Sequence, residues 1–149
     1  MSELKDGIKE QTTAALKAGD KVRLGTLRLL LASIKNREVE EGHELSDDEV
    51  REVAVKEAKR RKESIEAYTA GNRPDLVERE TAELEILAPF LPEQLDDSAI
   101  DALIEAAIAS TGATSAKEMG KVMGAVMAKA KGQVDGTLVQ AKVRERLGA

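Results

Sequence analysis

The chain has 149 residues, no cysteine, no Trp, one Tyr and one Phe, with 42% apolar residues. Its core must therefore be aliphatic, and disulfides, thiol nucleophiles and thiolate metal sites are excluded. Charged residues make up 34%, with a net charge of -5, a composition that favours long helices in one compact domain or two small ones.

In chain order the apolar spacing and its punctuation predict seven helices and no sheet, at about 3–18, 20–41, 47–70, 73–90, 97–111, 116–131 and 136–147. Gly19, Gly42, Gly71, Gly112 and Gly132 fall where helices should stop. Asp20, Asp96 and Asp135 are simple N-caps. Ser46-Asp-Asp-Glu49 and Ser115-Ala-Lys-Glu118 fit the reciprocal capping box. The second helix carries Leu24, Leu27, Leu31 and Ile34, widened by Leu29 and Leu30, a stripe broad enough for more than one neighbour. The third aligns Ala54, Ala58, Arg61, Ile65 and Tyr68 on one face. Arg61 inside that stripe reads as a structural arginine paired with a carboxylate such as Glu83 or Glu85, or else as a functional group.

Pro89 and Pro92 each lack an amide donor and restrict the residue before them. They place a hinge at 92–95 between an N-terminal helical domain, 1–91, and a small C-terminal one, 96–149. In the latter, Met119, Val122, Met123, Val126 and Met127 make an i, i+3, i+4, i+7, i+8 stripe. It reads as core, with an adaptable protein-docking face as the alternative. Gly120 and Gly124 flank it and would admit another backbone closely.

Catalytic chemistry is not visible, and no cofactor or metal is expected. His43 is the one histidine, in a loop beside Gly42, with no partner at recognisable spacing. The carboxylates fall among Lys and Arg at helical spacing, as solvated faces do. No glycine-rich phosphate loop follows a strand. Charge is informative instead. Residues 112–147 hold 7 basic and 3 acidic side chains, whereas 92–111 hold 5 acidic and none basic. A local reversal against the global sign is what an anion-binding surface leaves in a sequence. The candidate RNA-phosphate contacts are Lys117, Lys121, Lys129, Lys131, Lys142, Arg144 and Arg146; a solvated face and compensation of the helix dipole explain the same residues equally well. A second basic group, Arg51, Lys56, Lys59, Arg60, Arg61 and Lys62, lies on the third helix. With two aromatic residues, any nucleic-acid contact would read backbone and shape rather than stack bases. No apolar run approaches the roughly 20 residues that span a bilayer, and the polar N-terminus has no signal core. A soluble, cytoplasmic protein without membrane contact is expected.

Residues 20–35, Arg60-Arg-Lys-Glu-Ser-Ile-Glu-Ala-Tyr68, Leu91-Pro-Glu-Gln-Leu95 and 117–135 together resemble the YqeY family of small bacterial proteins, over nearly the whole chain. The C-terminal part is also similar to the tail of the B subunit of the tRNA-dependent amidotransferase. The resemblance implies an all-helical, two-domain fold and a C-terminal domain able to contact tRNA, or a protein partner in the translation or amidotransferase machinery. It carries over no catalysis, since the amidotransferase reactions belong to domains without counterpart here; a role as accessory factor to that carbon–nitrogen ligase is implied by association alone. Where the family commonly reads Met-Pro-Lys and Lys-Gly-Arg-Ala-Asp, this chain has Met127-Ala128-Lys129 and Lys131-Gly132-Gln133-Val134-Asp135. The missing proline lets the sixth helix run on unkinked, and Gln133 removes one positive charge.

Overall fold

The structure, a computed structural model, describes residues 2–148. Among the described residues there are seven α-helices and no strand: α1 (Glu3–Ala18), α2 (Lys21–Glu41), α3 (Asp47–Ala70), α4 (Pro74–Leu87), α5 (Asp97–Thr111), α6 (Met119–Lys129) and α7 (Gly136–Arg146). The all-α class is thus as the sequence predicts. The chain divides into two compact units, one ending at Leu91 and one beginning at Pro92.

In the first unit α2 packs against α1, α3 and α4, and α3 lies along α4. Ile8, Leu27, Leu30, Ile34, Leu45, Val50, Val53, Ile86, Leu87 and Phe90 form its buried core. The Ser46–Glu49 capping box is complete, with the serine hydroxyl accepting from the Glu49 amide and the Glu49 carboxylate accepting from the Ser46 amide. Asp47 ties the start of α3 to the start of α1 by accepting from the Ser2 hydroxyl and, at 3.1 Å, from the Leu4 amide. Those two donors hold its carboxyl below the usual range.

Several expected ends move. The fourth helix stops at Leu87, because Pro89 has no amide to continue the ladder, and Ala88–Phe90 tighten into a 3-10 turn. Gly71 is not left-handed; Asn72 takes that conformation, at φ 55. The sixth helix starts late and ends early. Ser115 makes no cap bond, because the Glu118 amide donates to the Ser115 carbonyl at 3.0 Å in a 3-10 turn over Ala116–Glu118. Gly132, at φ 76, bends the loop after the helix rather than ending it.

The second unit is a three-helix cluster in which α6 meets both α5 and α7. Ile100, Ile104, Val122, Val126, Val139 and Val143 are fully or almost fully buried. Residues expected to be a hinge are bonded into this unit. The Leu95 amide donates to the Gln133 carbonyl at 2.8 Å, the Gln94 side-chain amide to the Gly132 carbonyl at 2.8 Å, and the Gln133 side chain to the Glu93 carbonyl at 3.2 Å. Gln133 therefore serves as a strut between two loops.

Candidate functional site

The seven C-terminal cations separate into groups once the helices are in place. On α7, Lys142 donates to Asp101 at 3.0 Å and lies 3.8 Å from Asp97. Arg146 donates to Glu105 at 2.9 Å. These are rungs between a carboxylate stripe on α5 and a basic stripe on α7, both at steps of four residues. Asp101 raises the Lys142 ammonium above its ordinary value, as an opposite charge must. These two cations are engaged within the chain and drop out of the phosphate-contact set. Lys131, just past α6, is exposed and also makes an interaction of its own.

Lys117, Lys121, Lys129 and Arg144 are exposed and form no ion pair with another described residue. Two of them, Lys117 and Lys121, border one surface. At about 100° per residue, the side of α6 opposite buried Val122 and Val126 presents Lys121, Gly124 and Ala128, with Gly120 at its edge, whereas Lys129, seven residues after Val122, is exposed at the C-terminal end of the helix and off this face. Lys117 precedes this face in the 3-10 turn. Met119 to Lys129 contain no acidic residue. A Cβ added at Gly120 or Gly124 would meet nothing within 4 Å, so packing inside the chain does not demand either glycine.

The opposite side of α6 settles the methionine stripe. Val122 and Val126 are buried, and Met119 and Met123 pack against the core. This face is therefore interior, and the docking alternative at Met119–Met127 is withdrawn. The Asp135 carboxylate accepts from the Thr137 amide at 3.0 Å. It occupies the start of α7 with negative charge, which an incoming anion would have to displace.

Two clusters lie elsewhere; the sequence pointed to Arg61 with Glu83 in the first, but not to Glu57 or to the carboxylates beside His43. Arg61 is buried, as a structural arginine should be. It bonds Glu57 at 3.0 Å and lies 3.5 Å from Glu83. Glu57 is itself buried and also accepts from the Ser33 hydroxyl at 2.8 Å, which joins α2 to α3. The pairing with Glu57 was readable, since a glutamate four residues before an arginine is the favourable helical order. His43 is not as isolated as its spacing suggests. Its Nε2 lies 3.4 Å from Glu41 and 4.0 Å from Glu49. Its bond to the Glu44 carbonyl, followed by those carboxylates, raises its pKa. Glu41 already accepts from Arg37, and Glu49 from Ser46, so both carboxylates are committed to the fold. A further concavity is a shallow hollow of about 310 Å³ at the α3–α4 turn, lined by Thr69, Asn72, Arg73, Pro74, Val77 and Glu78.

Comparison with known proteins places the chain. A family model described as "Yqey-like protein" matches residues 5–147. Over 85 residues the chain is 39% identical to "Altered inheritance of mitochondria protein 41, mitochondrial" of Lachancea thermotolerans, covering 56% of this chain and 46% of that protein. The protein of the same name from Kluyveromyces lactis is 36% identical over 86 residues, 55% of this chain and 46% of that one. An uncharacterised protein of Schizosaccharomyces pombe is 30% identical over 86 residues, 58% of this chain and 70% of that protein. The chain thus spans about half the length of the first two. These relatives correct the cytoplasmic placement expected from the sequence: those of the first name are mitochondrial proteins, and lack of cysteine does not distinguish the two compartments.

Proposed function

Taking as premise that the chain belongs to the YqeY family, we propose that its second unit is a non-catalytic module that binds the phosphate backbone of tRNA across the outer face of α6. The observation that carries the reading is the acid-free outer face of α6, where Lys121, preceded by Lys117, lies beside Gly120, Gly124 and Ala128, with exposed Lys129 at the C-terminal end of the helix. Lysines supply the attraction, and small residues let a phosphate chain approach the helix. Arg144 is a fourth free cation on α7, and Lys131 lies beyond the end of α6. Lys142 and Arg146 are left to hold α7 on α5. No nucleophile–base pair or phosphate cradle accompanies this surface, so the reading assigns no turnover of ATP or glutamine to the chain.

If about three to four phosphates are engaged, log affinity falls with log salt at a slope near -3. Fluorescence anisotropy with labelled tRNA across a salt series measures it. Reversal of Lys117, Lys121 and Lys129 to Glu should abolish binding, whereas Lys142→Ala should leave it nearly unchanged. Gly120→Ala and Gly124→Ala should each raise helix stability by about 0.5–1 kcal/mol while weakening the complex, because methyl groups stand where the ligand would approach. Absence of binding at low salt, or binding indifferent to the triple reversal, would remove the proposal.

A further inference from the structure

The second helix has a face that the fold does not use. Three of the five large apolar side chains left exposed among the described residues lie on α2: Val22 at 47%, Leu29 at 55% and Val39 at 75%. Scattered single exposures are ordinary, but these are ordered. Val22, Leu29 and Asn36 recur every seven residues, and so do Gly25, Ala32 and Val39. The two series are offset by three, which makes them the a and d positions of a heptad repeat running the length of the 21-residue helix. Every one of the six is exposed. The seam points away from the buried Leu27 and Ile34, which hold the helix to its own core.

The flanks of the seam differ. On one side are Thr26, Ser33 and Glu40; Thr26 is buried, Ser33 donates inward to Glu57 at 2.8 Å, and Glu40 is exposed. On the other are Lys21, Arg28 and Lys35, again seven apart, all exposed and without an ion pair among the described residues. The other two cations of the helix are engaged: Arg23 with Asp20, and Arg37 with Glu41 and Glu52. The whole g row is therefore cationic and free.

We infer that the outer face of α2 docks an acidic amphipathic helix of a partner protein, packed as the second strand of a short coiled coil. Charge selects this occupant. A second copy in antiparallel register would set Lys21, Arg28 and Lys35 against themselves. In parallel register Lys21 and Arg28 would face Thr26 and Ser33, which offer no counter-charge, and only Lys35 would meet a carboxylate, that of Glu40. An acidic helix places carboxylates against all three in either direction. An anionic membrane would suit the cations, but not the seven-residue repeat or polar Asn36. Its insertion would also use bulky side chains where this seam has Gly25 and Ala32. Those small d residues suit a neighbouring helix at close range. Nothing within 4 Å would meet a Cβ at Gly25, and glycine weakens a helix interior, so the fold alone gives no reason for it.

The test uses the full chain and a synthetic 21-residue helical peptide with Leu at a, Ala at d and Glu at e and g. Its controls are the same peptide with the seam scrambled and a version with Lys in place of Glu. Isothermal titration should give saturable binding of the acidic peptide only, with amide shifts by NMR confined to residues 21–39. Leu29→Glu should raise the dissociation constant at least about tenfold without lowering the melting temperature, because the side chain is exposed. Reversal of Lys21, Arg28 and Lys35 to Glu should transfer preference to the Lys peptide, which a merely structural role would not do. Equal binding of the scrambled peptide, or none of either, overturns the inference. So does phosphatidylserine vesicle binding that the triple reversal abolishes while the peptide stays unbound. Self-association relieved by Leu29→Glu would make the occupant a second copy and overturn it as well.

Discussion

Glu57→Ala is the sharpest perturbation of the first unit. Glu57 is 5% exposed and Arg61 9%, and they meet at 3.0 Å. Removing the carboxylate leaves a buried guanidinium with only Glu83, 3.5 Å from its Nε, a nitrogen that already lacks a hydrogen bond. It also strips the Ser33 hydroxyl of its acceptor. Breaking one side of a buried pair costs about 3–5 kcal/mol, and the remaining Glu83 argues for the lower end. For a unit of this size each kcal/mol lowers the melting temperature by about 4–8 °C, so a fall of roughly 12–25 °C follows. The single tyrosine, Tyr68, lies in α3, so tyrosine fluorescence during thermal unfolding reports on this unit while far-ultraviolet dichroism follows both. Glu57→Met combined with Arg61→Met should recover much of the loss, since an apolar pair of similar bulk removes both desolvated charges. A single variant melting within a few degrees of the parent, or a double variant no better than the single, would refute a structural role for Arg61.

Two further outcomes are expected. Glu38 accepts from Lys5 at 2.8 Å and from the Leu45 amide at 3.0 Å, and these donors hold its carboxyl below the ordinary range. A depressed folded-state pKa stabilises above the unfolded value and loses that contribution as pH falls through the folded one. Melting temperature should therefore drop on acidification below about pH 4.5, and more shallowly in Glu38→Gln than in the parent; parallel acid limbs would contradict the assignment. The two expected caps of the second unit should also part company. Asp96 accepts from the Ala99 amide at 2.8 Å, so Asp96→Ala should cost about 1 kcal/mol in denaturant unfolding, while Ser115→Ala, with no cap bond to lose, should be close to neutral.

Local signals in the sequence were read well, and the misses have a common cause. Asp20, Ser46, Asp96 and Asp135 cap the helices they were expected to cap, because each needs only its own side chain and an amide two or three residues on. Ser115-Ala-Lys-Glu118 has the same spacing, yet the Glu118 amide turns to a backbone carbonyl instead. The pattern cannot tell an α turn from a 3-10 turn. The fourth helix was expected to run on to 90, but Pro89 ends the α ladder at Leu87 and Ala88–Phe90 stay wound only as a 3-10 turn. The candidate site shrank for a tertiary reason. Lys142–Asp101 and Arg146–Glu105 join residues 41 apart, although matching four-residue steps on α5 and α7 hinted at the ladder. The second helix meets more than one neighbour, as its wide stripe implied, but Leu29, counted in that stripe, is exposed. Leu29 widened the stripe in one dimension, and only the fold shows that it faces away from Leu27 and Leu30.

The division of charge in the second unit has a kinetic consequence. Carboxylates on α5 are paired with cations of α7, whereas Lys117 and Lys121 at the outer side of α6 have no ion-pair partner among the described residues, so the unit's charge is unevenly spread. In the field of any polyanion such a body experiences a torque before contact and presents its lysine side first. Encounters that would otherwise be spent on unproductive orientations are then rotated toward the right one, and added salt should slow this capture step through the same screening that weakens the complex.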